Sequence, residues 1–331
     1  MSALTLGLAI ALFAVLAAEF VNGWTDAPNA IATVVSTGVM TPRAAIIMAV
    51  ILNTAGAMAG TAVANTVGKG IVVPAAITVP AITATMVSII AWGTMAAKLG
   101  IPVSKSHALL AGLAGAGLAG GGWEALQWAG WQKVGIGMVS SLGLGFIGAF
   151  LLGRLIIRAA ANASPASAKR SFDFLQMLSA GFMAFNHGLN DGQKFMGVFA
   201  LTLLAGGVTQ EFHIPVWVII VCALTMGLGT SAGGWRIIET VGIKMARITS
   251  WQGFAATMAA STTIYGASAY GIPLSTTHTI TSSIVGVGAG KRMSDVRWGV
   301  LRKIVFAWCA TFPCCAVIAY FAALVANYLW A

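Results

Sequence analysis

Long apolar runs broken by short polar stretches follow one another along the whole chain. They predict membrane segments at Leu4–Met40 (one broken element), Ala44–Ala64, Val72–Ala97, His107–Gly120 and Val134–Ile157. A polar connector, Arg158–Arg170, contains NASPASAKR. Beyond it lie Phe174–Leu204, Pro215–Gly229, Gln252–Tyr270, Thr277–Gly290 and Ile304–Leu329, so each half offers five segments. His107–Gly120 and Thr277–Gly290 hold 14 residues each, short of the roughly 20 that a spanning helix needs. They read as arms of re-entrant or half-membrane hairpins. The runs do not alternate apolar with polar, which argues against a β-barrel. The pattern predicts an all-α polytopic membrane protein with broken helices, re-entrant hairpins and about 10–12 membrane segments. It divides into a first repeat at 1–160, a cytoplasmic connector at 161–172 and a second repeat at 173–331.

The duplication is also written in polar residues. FVNGWTDAPNA at Phe20–Ala30 and FNHGLNDGQKFM at Phe185–Met196 share a Gly and an Asp at the same spacing, offset by 165. IPVSKSHA at Ile101–Ala108 and IPLSTTHT at Ile272–Thr279 share Pro, Ser and His, offset by 171. Asp26 precedes Pro102 by 76 residues, and Asp191 precedes Pro273 by 82. Four landmarks in one order point to tandem duplication. An odd number of crossings per half inverts the second repeat relative to the first. Charge agrees: with the N-terminus outside, inner loops hold 15 Lys and Arg, among them Lys105, Arg247 and Arg292, against Lys69 and Lys133 outside. Setting Lys105 aside as part of a motif leaves 14 against 2, and the positive-inside rule places both termini outside.

Composition sharpens the class. The 331 residues are 58% hydrophobic and 8% charged, against about 25% charged in soluble domains, so the chain is an integral membrane protein. Forty glycines fit close helix packing in lipid. The net charge of +10 is spread over short loops, where it sets topology rather than binding nucleic acid. Cys222, Cys309, Cys314 and Cys315 all lie in apolar segments and read as small buried hydrophobes. The opening apolar run lacks a basic leader and reads as a retained first helix. GVGAGK at Gly286–Lys291 lacks the closing Ser/Thr of a phosphate-binding loop, so ATP chemistry and other cofactors are not expected.

The embedded polar residues carry the candidate chemistry. Charged groups at membrane depth cost roughly 2.5–3.5 kcal/mol each on insertion scales and mark functional sites. Pro-Ser-x-Ser/Thr-His tips read as loops entering half-helix N-termini, which supply N–H groups, hydroxyls and a positive dipole end for an anion. Ser104, Ser106, Ser275, Thr276 and Thr277 are the hydroxyl candidates. Asp26, Asp191 and Glu19 against Lys194 leave a core charge of −2, so cations must enter with an anion, or protons must neutralise the acids. Hard oxygen ligands from Asn22, Asp26, Asn29, Asn190 and Asp191 suit Na+ or H+. Lys194 either pairs with Asp191 or meets substrate. Glu19 reads as structural or helix-polarising, and His107, His187 and His278 as hydrogen-bonded anchors. The residues thus predict cation-coupled anion symport. An intramembrane hydrolase using Ser106 or Ser275 is disfavoured, because Ser106 and His107 are adjacent on one helix and point apart. A passive anion channel is disfavoured because its acids would repel the anion.

Four stretches, NGWTDAPNAIATVVSTG, HGLNDGQK, IPVSKSH and IPLSTTHTITSSIVGVGAG, resemble the inorganic phosphate transporter family, in its bacterial low-affinity permease branch. Lys105 departs from the small hydroxyl residue usual at its place in the first tip. The resemblance implies an inverted-repeat fold, a homodimer, and phosphate bound with coupling ions at the paired motifs. By position it implies ions at Asp26, Asn29, Asn190 and Asp191, and phosphate at Ser104, Ser106, Ser275, Thr276 and Thr277. It also leaves open a sulfate or metal–phosphate permease of the same fold.

Overall fold

The computed structural model describes residues 3–246, 248–291, 294 and 296–330; Arg247 and Arg292, counted among the inner-loop charges, lie outside the described residues. The first half runs α1 (Ala3–Asp26), α2 (Pro28–Ser36), α3 (Pro42–Ala57), α4 (Ala62–Gly70), α5 (Val79–Lys98), α6 (Lys105–Gly121) and α7 (Trp128–Ala159). The second runs α8 (Pro165–His187), a π turn (Gly188–Gly192), α9 (Gln193–Ala205), α10 (Val216–Ser231), α11 (Trp235–Glu239) with a π turn (Thr240–Lys244), α12 (Ser250–Ala269), α13 (Thr276–Lys291) and α14 (Trp298–Trp330).

Each element of one half has a counterpart seven helices later, and the packing obeys the same exchange. α6 lies on α14 while α13 lies on α7. α5 contacts α1, α6 and α14, and α12 contacts α8, α13 and α7. α1 crosses α10, and α8 crosses α3. A chain duplicated in sequence therefore folds as two intertwined halves, and no half buries its own polar face alone.

One predicted segment bends where the hydropathy pattern ran straight on. Ala44–Ala64 stops at Ala57, and α3 meets α4 at 67°. The new helix starts against α9, where Gln193 Oε1 accepts the Val63 N–H at 2.9 Å. The equivalent pair, α10 and the helix through α11, bends by 66°. Val72–Ala97 becomes a helix only at Val79, because Pro74 opens a separate short turn and Thr78 caps the helix by accepting the Ala81 N–H at 3.2 Å, with Pro80 in its first turn. The connector is also shorter than predicted. Ser164 accepts the Ser167 N–H at 3.3 Å and Pro165 opens α8, so most of 161–172 is the first turns of a helix.

By length and hydropathy, Leu6–Ser36, Val79–Lys98, Trp128–Ala159 and Trp298–Leu329 can cross a membrane, and the two bent pairs raise the count to six among the described residues. The 10–12 predicted segments also include half-membrane arms and interrupted helices, which such a length test passes over. α12 is rich in Ser and Thr, α8 and α9 are interrupted by the polar motif, and α6 and α13 have only 17 and 16 residues. Of these, α6, α9 and α13 are almost wholly buried by the other helices, while α8 and α12 keep one exposed face that carries Phe174, Leu178 and Tyr265. Of the cysteines, Cys222 and Cys315 are buried as expected, Cys314 is half-buried, and Cys309 is exposed.

The crossings are drawn tight by glycine. A methyl group on Gly23 would overlap the backbone oxygen of Met226, and one on Gly229 that of Phe20. Their counterparts behave alike: Gly188 abuts the Asn53 carbonyl, and Gly56 that of Phe185. These contacts hold the broken parts of α1 and α8 at backbone distance from α10 and α3. Gly188→Ala is expected to destabilise the detergent-solubilised protein by about 1–3 kcal/mol through overpacking. Gly299→Ala, which points into open space, serves as the unchanged control in the same thermal-unfolding assay.

Candidate functional site

Both helix breaks fall at the acidic motifs, by different means. In the first half Pro28 brings no N–H, α1 ends at Asp26, and α2 restarts one residue on. In the second half no proline intervenes. A π turn instead inserts an extra residue at Gly188–Gly192 and swings Asn190 and Asp191 inward, as such turns often do at functional sites. The tips arrive from the other direction. Ser104 Oγ accepts the His107 N–H at 3.1 Å, and Ser275 Oγ accepts the His278 N–H at 3.1 Å. Each serine caps a helix whose first residues then face the acids.

The two tips meet. His107 and His278 stand edge to face with ring centroids 4.4 Å apart, and Trp308 of α14 covers His278 at 3.8 Å. Beside them lies one buried polar cluster. Asp26 Oδ1 accepts from Lys105 Nζ at 3.0 Å, and Asp26 Oδ2 from the Thr277 hydroxyl at 3.4 Å. Asp191 Oδ2 accepts from the Thr276 hydroxyl at 2.8 Å, and Asp191 Oδ1 from the Ser106 hydroxyl at 3.5 Å. Each carboxylate is thus held by one tip of its own half and one of the other. Positions offset by 171 exchange roles, Lys105 with Thr276 and Ser106 with Thr277.

Lys194 ties the cluster together. Its Nζ is bonded to Asp191 Oδ1 and to Ser106 Oγ, and donates to the Leu274 carbonyl at 2.7 Å. Its counterpart at the offset of 165 is Asn29, whose Nδ2 donates to Thr277 at 3.0 Å and Thr276 at 3.3 Å. The ammonium therefore sits beside Asp191 and is also aimed at the hydroxyls of a tip. His187 joins from α8, with Nδ1 at 3.2 Å from Asn53 Oδ1 and Nε2 at 3.2 Å from Asp191 Oδ2. Asp26, His187 and Asp191 each bring a ligand atom within 4.8 Å of the other two, a donor set that fits a small cation. Every one of these groups is buried, so the cluster is closed to solvent on both sides.

Most predicted residues converge here, but not all in the predicted way. Ser104 and Ser275 accept backbone N–H bonds as helix caps, which leaves each hydroxyl's own hydrogen to donate elsewhere. Asn190 turns its Nδ2 to Ser268 Oγ at 2.8 Å and the Ile272 carbonyl at 3.4 Å, while its buried Oδ1 has no donor. Asn22 donates its Nδ2 to Glu19 Oε2 at 3.2 Å rather than joining Asp26. The largest correction concerns Lys105. Counted as an inner-loop charge, it is 1% exposed and paired with Asp26. The core therefore holds three carboxylates against two ammonium groups, a surplus of −1 rather than −2. Its place inside a duplicated motif was the available signal, since the equivalent position carries a buried threonine.

A model of the phosphate transporter family matches residues 22–319. A probable low-affinity inorganic phosphate transporter of Rhizobium meliloti is 42% identical over 321 residues, 96% of this chain and 95% of the relative. One of Bacillus subtilis is 37% identical over 318 residues, 95% of this chain and 96% of the relative. A solved structure titled the sodium-dependent phosphate transporter superposes with a TM-score of 0.84 at 23% identity, covering 97% of this chain and 99% of that one; this likeness speaks to the fold.

The Asp26–Lys105 pair generates a direct test. Removing one partner of a buried pair strands the other charge, at a cost of about 3–5 kcal/mol. Lys105→Met and Asp26→Asn are each expected to lower stability by that order at neutral pH. The double variant is expected to recover most of the loss, as a double-mutant cycle of thermal unfolding reads.

Proposed function

The chain belongs to the phosphate transporter family, and from that premise we propose that it is a secondary active symporter importing inorganic phosphate across the cell membrane with Na+ or H+. It is a multi-pass membrane protein and a transporter rather than an enzyme. The observation that carries this reading is the convergence of both tips and both acidic breaks in one buried cluster, where each half completes the other's site.

Coupling follows from the pairing. Phosphate at the N-termini of α6 and α13 would be met by Ser106, Thr276 and Thr277, whose hydroxyls now turn to the carboxylates. It would also draw on Lys194. An anion that takes the Lys194 ammonium leaves Asp191 uncompensated, and a buried lone carboxylate is far too costly to stand. A cation must replace the ammonium, so anion and cation each raise the other's affinity. Asp191 and Asp26, with Asn29 and the unpartnered Asn190 Oδ1, are the proposed cation ligands; Asn22, turned to Glu19, is not among them. Since the solved fold neighbour is titled sodium-dependent, Na+ is the first ion to test.

The reading extends to two features of the assembly. With Lys105 in the core, the loop charges stand at 14 inside against 2 outside, which supports both termini outside. A homodimer is proposed from the family resemblance.

In proteoliposomes, labelled phosphate uptake is expected to follow an imposed Na+ or proton gradient, varied independently, with excess sulfate a weak competitor. Asp191→Asn is expected to lower gradient-driven uptake by at least about tenfold, the effect of about 1.4 kcal/mol of lost coupling, while the protein still elutes as a folded membrane protein. Normal uptake with unchanged ion dependence would sink the assignment, and uptake indifferent to both gradients would make the protein a channel.

A further inference from the structure

Glu19 is the charge that the mechanism above leaves over. Asp26 has Lys105 and Asp191 has Lys194, but no ammonium or guanidinium among the described residues lies within ion-pair distance of Glu19. It is fully buried in the middle of α1, seven residues before Asp26 and so on the same side of the helix. The ionisable groups that face it are Asp26 on α1, Asp191 on the π turn, Lys194 on α9 and the Cys222 thiol on α10. From α5, the remaining helix packed on α1, the only titratable residue is Lys98, exposed at its far end.

The hydrogen bonds around Glu19 are half complete in a particular way. Asn22 Nδ2 donates to Glu19 Oε2 at 3.2 Å. The other oxygen of each side chain, Glu19 Oε1 and Asn22 Oδ1, is buried without any donor. Two buried acceptors left bare on neighbouring groups are rare and need an account. One hydrogen supplies it. A proton on Glu19 Oε1 turns that oxygen into a donor to Asn22 Oδ1, closing a cyclic carboxyl–amide pair and removing the surplus charge. Na+ is the poorer occupant, because hard cations take about six oxygen ligands and the helix carbonyls here are spent on their own bonds.

We propose that Glu19 is a proton-carrying carboxyl, held by Asn22, that loads and releases the coupling proton at a site separate from the Asp26–Asp191 cluster. Loading forms the Oε1–H bond with a proton from water on the entry side. Release breaks it and returns the proton to water on the exit side, so no other reactant is needed. Seven residues of helix place the proton about 10 Å from Asp26, close enough in a water-poor core to offset an arriving anion. The inference rests on reading the chain as a coupled phosphate transporter and names the group that makes one of its coupling ions a proton.

The test compares wild type with Glu19→Gln, which mimics the protonated carboxyl but cannot release. Two modes are measured in proteoliposomes with equal Na+ and the potential clamped. Phosphate exchange at equal pH needs no proton cycle and is expected within about twofold of wild type, well under 1 kcal/mol. Accumulation under a one-unit pH gradient is expected to reach about tenfold in wild type for one proton per phosphate, and to vanish in Glu19→Gln. Equal accumulation by the variant overturns the proposal, as does a wild type that exchanges but never responds to the gradient. If wild type does not even exchange phosphate, the functional reading itself has failed. The proton is then read directly. The infrared carbonyl band of a protonated carboxyl is expected in wild type at neutral pH and absent in Glu19→Gln. Should the variant not fold, the same band in wild type decides, and its absence overturns the proposal.

Discussion

Compensation of charge in a medium with little water is the constraint on which the rest of this structure depends. Three acids and two ammonium groups lie in the interior, and an isolated charge there costs several kcal/mol even after relaxation. Two ammonium groups answer two carboxylates through short contacts that also use the hydroxyls of both tips. Such pairs add little net stability over apolar packing. In the proposed symport their partners are exchanged for ions in transit, which an apolar core could not do.

The duplication makes that exchange geometric. Glycine contacts bring the broken helices of one half against the unbroken helices of the other, and the tips of both halves meet at the paired histidines. The acids are therefore shared between halves rather than owned by one. The halves have also drifted apart in chemistry. Where one carries Lys105 the other has Thr276, and where one carries Lys194 the other has Asn29. Each half contributes one paired acid and one ammonium, the ammonium coming from a tip in the first half and from the broken helix in the second.

Much of this was legible in the sequence because a duplicated signal is self-checking. The offsets of 165 and 171 pointed to the acids and to the tips before any coordinates, and the short runs after the tips marked half-helices. Lys105 was misplaced because counting charges by loops cannot tell a loop from a tip that dives back into the core. Ser104 and Ser275 cap their helices as acceptors, a duty the Pro-Ser tips had already suggested. The bends after Ala57 and Ser231 were invisible because hydropathy is blind to direction: what turns the chain at the first is a side chain 130 residues away, Gln193, receiving the Val63 N–H. His187 gave no signal beyond its motif, since its partners Asn53 and Asp191 are defined only once α3 crosses α8.

Transport demands that the cluster open to one side at a time, and the two breaks differ in how they allow it. At Pro28 a backbone hydrogen bond is missing outright, so α1 and α2 can change angle without breaking one. At Gly188–Gly192 the π turn keeps its bonds but wraps one extra residue, and reverting to an α turn would rotate Asp191 away from Lys194 and Thr276. In the proposed symport that rotation would be cheap only once Asp191 has lost its partners or gained a cation. The same pairing that closes the empty site would then restrain it from cycling without cargo, and loading would supply the differential affinity that any two-state mechanism requires.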